Sequence, residues 1–154
     1  MTKAKFLVSV IGGHKCDGRT AELAEKAGKI IAEEGAVVLT GGLGGIMEAA
    51  SRGAKNVGGE TVGIIPGENK DNANAFIDIV ITTGMGYSRN TLVAGSADML
   101  VALPGKYGTL SEIAFALNAK KPVYGFDAWD IPGVENLESL ENLREAIQKN
   151  MQKE

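Results

Sequence analysis

What most constrains this chain is a repeated unit: a short apolar run that stops at glycine, followed by a helical pattern. Phe6–Ile11 stops at Gly12-Gly13, Ala36–Thr40 at Gly41, and Thr61–Ile65 at Pro66-Gly67. Ile77–Thr82 runs into Gly84-Met85-Gly86, and Asp98–Leu103 stops at Pro104-Gly105. Such runs read as strands covered on both faces. Proline ends a ladder because it has no N–H, and glycine accepts positive φ. Between the runs, Leu23, Ala24, Ala27, Ile30 and Ile31 recur at helical spacing across Thr20–Glu34, with Gly35 as the stop. Further helices are expected over Ile46–Lys55, Arg89–Gly95, Thr109–Asn118 and Leu137–Gln152. Pro122–Phe126 is a sixth strand, residues 68–75 are a polar loop, and 127–135 are irregular.

Alternating strands and helices predict an α/β, Rossmann-like doubly wound fold, with a mainly parallel sheet of about six to seven strands and helices on both faces. The expected strand order is 3-2-1-4-5-6, with the switch point between strands one and four. Ligands bind outside the carboxyl ends of such strands, so loops 12–18, 41–45, 84–89 and 104–109 are expected to line one crevice. The sequence has no internal boundary and reads as one domain over residues 1–154.

Composition removes several function classes. The net charge is −3 and no basic cluster is present, which argues against nucleic acid and anionic membrane surfaces as partners. A single cysteine, Cys16, excludes an internal disulfide and fits a reducing, cytoplasmic compartment. No apolar run reaches the roughly 18 residues that a membrane-spanning helix needs. The N-terminal stretch reads as a strand rather than a signal peptide.

The chemistry-bearing residues gather at the glycine turns. Leu100–Ile113 reads as strand, tight turn and helix start, and a helix start presents free N–H groups and partial positive charge to an anion. Thr109-Leu-Ser-Glu112 also fits a capping box, in which Glu112 would fold back onto its own helix end. Gly13 to Thr20 is one residue from a phosphate-binding P-loop, with Arg19 in place of the lysine and no strand ending in a magnesium-holding aspartate. Gly42-Leu-Gly-Gly45 follows the second strand and lacks a dinucleotide fingerprint, but it can form a backbone nest for an anion. Arg89 stands at a helix start, where an arginine can clamp a phosphate or carboxylate. His14 reads as a loop residue and Cys16 as a small loop residue, and no metal-ligand spacing is present. Met47, Met85, Met99 and Met151 read as core filling, whereas Tyr87 and Tyr107 either stack on a base or cover loops.

Pro104-Gly-Lys-Tyr-Gly-Thr109 with Glu112 resembles the P-G-G-x-G-T-x-x-E signature of the Lonely Guy (LOG) family. These are cytokinin-activating nucleoside 5′-monophosphate phosphoribohydrolases, long mislabelled lysine decarboxylases. Arg89 falls at the arginine of that family's M-x-x-R-K motif, and Gly41–Met47 is similar to its second glycine loop. The molybdenum cofactor carrier proteins are similar over the same span, residues 6–126, and the Rossmann part of the DNA-processing protein DprA is so more distantly. The resemblance implies Arg89 and Glu112 as catalytic residues. Ligand and phosphate contacts would come from Gly12, Gly13, Gly42, Gly44, Gly45, Met85, Gly86, Pro104, Gly105, Lys106, Tyr107, Gly108 and Thr109, with no metal. It further implies a small phosphorylated ligand, an AMP-like nucleotide or molybdenum cofactor, and a homodimer or higher homo-oligomer. The sequence departs from the hydrolase pattern at Lys106, where the signature has glycine, at Asn90, where the motif has lysine, and over Gly86–Ser88. The helix after Glu112 is also short and lacks the family's Trp and Leu-Gly-x-His segment. The alternative to hydrolysis is a non-catalytic cofactor carrier or nucleotide sensor, with Lys106 as an added phosphate contact.

Overall fold

The computed structural model describes residues 2–153. Its elements in chain order are β1 (Leu7–Ile11), α1 (Gly18–Glu33), β2 (Val37–Thr40), α2 (Ile46–Lys55), β3 (Thr61–Ile65), β4 (Ile79–Thr82), α3 (Asn90–Gly95), β5 (Met99–Ala102), α4 (Tyr107–Asn118), β6 (Val123–Gly125), β7 (Val134–Asn136) and α5 (Leu140–Met151). Single 3-10 turns occupy Lys70–Asn72 and Gly86–Arg89. The seven strands form one sheet in the order β4-β3-β2-β1-β5-β6-β7, and every pairing is parallel. This is an α/β Rossmann-like, doubly wound fold.

The strand order corrects one expectation. The fourth strand does not lie beside the first. It extends the sheet beyond β3, with Val62 opposite Ile79 and Ile64 opposite Ile81. Local side-chain bonds decide this. Asp78 Oδ2 accepts from Thr61 N at 3.0 Å, and Thr61 Oγ1 accepts from Asp78 N at 2.9 Å and donates to Phe76 O at 2.6 Å. These bonds clip the start of β4 to the start of β3. Asp98 does the same for β5 and β1: its Oδ2 accepts from Leu7 N at 2.7 Å. The switch point therefore lies between β1 and β5. A second correction is β7, which begins at Val134 in the stretch read as irregular and runs one residue past it. With three residues, it is too short to carry a periodicity.

Two apolar clusters fill the layers on either side of the sheet. One joins Val8, Val10, Val38, Met99 and Val101 to Ala24, Ala27, Ile31, Ala50 and Ile147 of α1, α2 and α5. The other joins Ile11, Leu39, Leu100 and Ala102 to Val93, Ala94, Ile113 and Ala116 of α3 and α4. The α1–α2 contact is backbone on backbone. A Cβ built on Gly28 would stand 1.9 Å from Ala50 O, and one on Gly53 would stand 1.9 Å from Glu25 O. On the other face Ser9 Oγ donates to Val93 O at 2.7 Å inside the core, which holds α3 against β1.

Candidate functional site

The loops leaving β1, β2 and β5 meet at the switch point. Gly13 N donates to Pro104 O at 2.9 Å, and Ile46 N donates to Gly13 O at 3.1 Å. Gly45, at φ +64, packs so tightly here that a Cβ would stand 2.4 Å from Gly13 O. Gly105 is equally constrained: a Cβ on it would come within 2.0 Å of Thr109 Oγ1 and 3.0 Å of Gly13 N. The buried Thr109 hydroxyl thus lies over the glycine turn. Gly12 is closed against Ile46, whose Cγ1 would be 2.8 Å from a Cβ.

The helix that follows starts earlier than the sequence predicts. It begins at Tyr107, with Lys106 as N-cap and no side-chain cap. Its first turn bonds Leu110 N to Lys106 O, which leaves the N–H groups of Tyr107, Gly108 and Thr109 without a helical carbonyl. The capping-box reading is therefore overturned. Thr109 lies inside the first turn, so Glu112 sits one turn deeper, buried, and too far along to reach the helix end.

Glu112 lies near Arg89. Burial pushes the Glu112 carboxyl up to about 8, and the Arg89 charge pulls the other way without overcoming it. Arg89, at the end of the 3-10 turn, is also buried, and burial lowers its pKa while Glu112 opposes the shift. Its guanidinium donates to Gly41 O at 3.4 Å and to Asn90 Oδ1. Its Nε has no partner among the described residues. Asn90 Nδ2 donates to Ser111 Oγ at 3.3 Å, and Ser111 Oγ donates to Gly108 O at 2.6 Å. Asn90, which entered the sequence reading only as a departure from a motif, and Ser111, which did not enter it, therefore couple Arg89 to the head of α4. No signal in a single sequence marks them, because the bonds run between elements.

The remaining predicted residues occupy the lips. Gly42, at φ +76, turns toward β3: its O accepts from Asn74 N at 2.9 Å, and a Cβ would meet Ile65 Cγ2 at 2.5 Å. It closes a loop onto the sheet. Gly44 lies beside His14, which is at the crevice edge. Gly86 N donates to Pro66 O at 3.1 Å, so Met85 and Gly86 sit over the end of β3. Met85 is 44% exposed and does not fill the core, unlike Met47 and Met99. Pro104 and Lys106 are exposed, and Tyr107 and Tyr87 are 80% and 89% exposed. Trp129, a residue the sequence reading passed over, donates from Nε1 to Lys106 O at 3.2 Å. Two hollows lie away from these loops, one beside β7 and α5 and one between α1 and α2, and in the latter Arg52 pairs with Glu25 at 3.0 Å and Lys26 with Glu22 at 2.8 Å. Among the described residues no three His, Cys, Asp or Glu side chains gather as a metal set.

The family model of the SLOG cluster4 family matches residues 5–154, which includes every loop of the crevice. The chain belongs to the SLOG cluster4 family. This family member is 48% identical over 116 residues to an uncharacterized protein of Archaeoglobus fulgidus, covering 75% of this chain and 76% of that one. It is 33% identical over 111 residues to the cytokinin riboside 5′-monophosphate phosphoribohydrolase of Mycobacterium tuberculosis, covering 70% of this chain and 53% of that enzyme. The chain thus spans about half the length of that hydrolase. Among solved structures, the molybdenum cofactor binding protein of Rippkaea orientalis superposes with a TM-score of 0.91 at 36% identity, covering 97% of this chain and 99% of that one. DNA processing protein A of Helicobacter pylori, at 17% identity and a TM-score of 0.73 over 94% of this chain and 81% of that one, shares the fold alone. These likenesses bear out the resemblance drawn from the glycine turn. No helix among the described residues is long and apolar enough to cross a membrane.

Proposed function

We propose that this SLOG family member binds a nucleoside 5′-monophosphate at the switch-point crevice and hydrolyses its N-glycosidic bond. One observation carries the reading: Glu112, buried and with its carboxyl pushed up by that burial, lies near the buried Arg89, one turn behind a helix head whose first N–H groups have no helical carbonyl. The free N–H groups of Tyr107, Gly108 and Thr109, with the Thr109 hydroxyl and the exposed Lys106, suit a phosphate. The tight glycines, Gly13, Gly45 and Gly105, keep side chains out of the space above that turn.

The chemistry follows from the charge state of Glu112. Glycosidic cleavage breaks the bond from C1′ to the base nitrogen and passes through an oxocarbenium-like state. The bonding pair leaves with the base. A carboxyl held above neutral pH enters as the acid and gives its proton to that nitrogen. The carboxylate so formed faces the positive sugar and stabilises it. Water adds at C1′, its proton returns to Glu112, and the products are ribose 5-phosphate and free base. Arg89, buried beside Glu112, stabilises the carboxylate so formed through its charge.

The second reading is a carrier of molybdenum cofactor or a nucleotide sensor without turnover. The likeness over nearly the whole chain to a molybdenum cofactor binding protein favours it. Release of free base from AMP, GMP, CMP and isopentenyl-AMP, followed by chromatography, separates the two. Base release that is lost in Glu112→Gln, with ribose 5-phosphate binding retained, is the expected result. No release, with a thermal shift on adding nucleotide or cofactor, gives the carrier reading. We further propose a homodimer in the cytoplasm, with Ile79, Ile81, Leu92 and Phe115, all exposed, meeting a second copy.

A further inference from the structure

Tyr107 and Trp129 form an aromatic pair beside the glycine turn, with ring centroids 6.4 Å apart and planes 25° from parallel. The two rings come from different elements, the head of α4 and the loop between β6 and β7. The indole is fixed on two sides. It packs against the apolar cluster under α3 and α4, and its N–H is spent on Lys106 O, so it cannot turn. Tyr107 then leans on a rigid support. A ring kept only to cover a loop is buried by that loop, yet Tyr107 is 80% exposed with the indole against it. Its backbone N–H is one of the free donors at the helix head, so phosphate site and ring share one residue.

We infer that the Tyr107–Trp129 pair is a stacking shelf for the planar nitrogen heterocycle of a ligand whose phosphate lies on the glycine turn. This inference rests on the phosphate-binding reading above and adds the class of ring to it. The dimensions suit it. Gly105 and Tyr107 are two residues apart, about 7 Å of chain at most. A phosphate at the turn and a heterocycle on Tyr107 are therefore within the span of one mononucleotide-sized molecule. Stacking on an aromatic face is tolerant of ring identity, because every base or pterin has a π-face. The shelf is thus compatible with a nucleobase and with a pterin, and the test below tells them apart.

Trp129 is the only tryptophan in the chain, so its emission reports the shelf directly. The probes are ribose 5-phosphate, neopterin phosphate and the carbocyclic analogue of AMP, which has no ring oxygen to support an oxocarbenium and is not turned over. Affinities come from calorimetry. At least one ring-bearing probe should quench Trp129 and bind about tenfold or more tightly than ribose 5-phosphate. The probe that does so names the source of the ring. Tyr107→Ala, which keeps the backbone N–H and removes only the ring, should abolish that gain and leave ribose 5-phosphate affinity unchanged, while Tyr107→Phe should keep it. If ribose 5-phosphate binds and neither ring-bearing probe binds more tightly, the shelf is wrong and the phosphate site stands. Equal weakening of all three probes by Tyr107→Ala also overturns the shelf. If none of the probes binds, the phosphate reading falls and the shelf falls with it.

Discussion

Burial sets the protonation of Glu112, against the pull of the Arg89 charge, and a sign for the pH dependence of stability follows. The carboxyl titrates at about 8 when folded, against an ordinary value of 4.5. Below the ordinary value it is protonated in both states and its burial costs no charge. As pH rises from about 4.5 to about 8, the unfolded chain gives up a proton that the folded chain keeps. Stability from this group therefore falls across that window and levels off above it. The melting temperature of wild type, less that of Glu112→Gln, should decline across the same window. Parallel profiles for the two proteins would remove Glu112 as a buried acid. The residue itself was legible in the sequence, as the last letter of the glycine-turn motif. Its charge state was not, because T-x-x-E describes a cap equally well until the helix is seen to start at Tyr107. Gly105 makes a second test at this scale. In Gly105→Ala the new methyl would strike the Thr109 hydroxyl at 2.0 Å. Ribose 5-phosphate binding should be lost with far-UV circular dichroism unchanged, and retained binding would move the phosphate site elsewhere.

At the scale of elements, short polar clips decide which strands meet. Asp78 with Thr61 and Asp98 with Leu7 N act across element starts, where the ladder has not yet begun. Sequence patterning set the existence of β1 to β6 and the helices between them, since those depend on local periodicity. Their order did not follow, because Asp78 and Asp98 look like any loop carboxylates until their partners are known. Helix packing shows the same limit. Gly28 and Gly53 lie in helical patterns, where glycine costs about 1 kcal/mol relative to alanine. The structure accounts for them through the direct contact of α1 with α2. Gly28→Ala should therefore destabilise despite its better helix propensity, by about 1–3 kcal/mol in chemical denaturation. A stabilised variant would mean that the two helices are free to part.

For the whole molecule, one face of the sheet is covered less completely than the other. Ile79 and Ile81 share a face with Leu39 and Ile64, and α3, only six residues long, does not reach them. With Leu92 and Phe115 they make an apolar margin on the side of α3 and α4. Wild type should run as a dimer by light scattering, and Phe115→Glu should run as a monomer with its far-UV circular dichroism unchanged. A monomeric wild type would overturn the dimer. The sequence alone determined the class of fold, the chain order of the strands and the helices between them, and the glycine turns that leave room at one edge of the sheet. It did so because these rest on local chemistry, on apolar periodicity, proline's missing N–H and glycine's missing side chain. Only the tertiary structure decided which strands adjoin the switch point, that Glu112 is buried near Arg89 rather than placed at its own helix end, and that Trp129 supports Tyr107. Each of these depends on contacts between segments far apart in the chain, and the burial that sets a charge or fixes a ring exists only once those segments have come together.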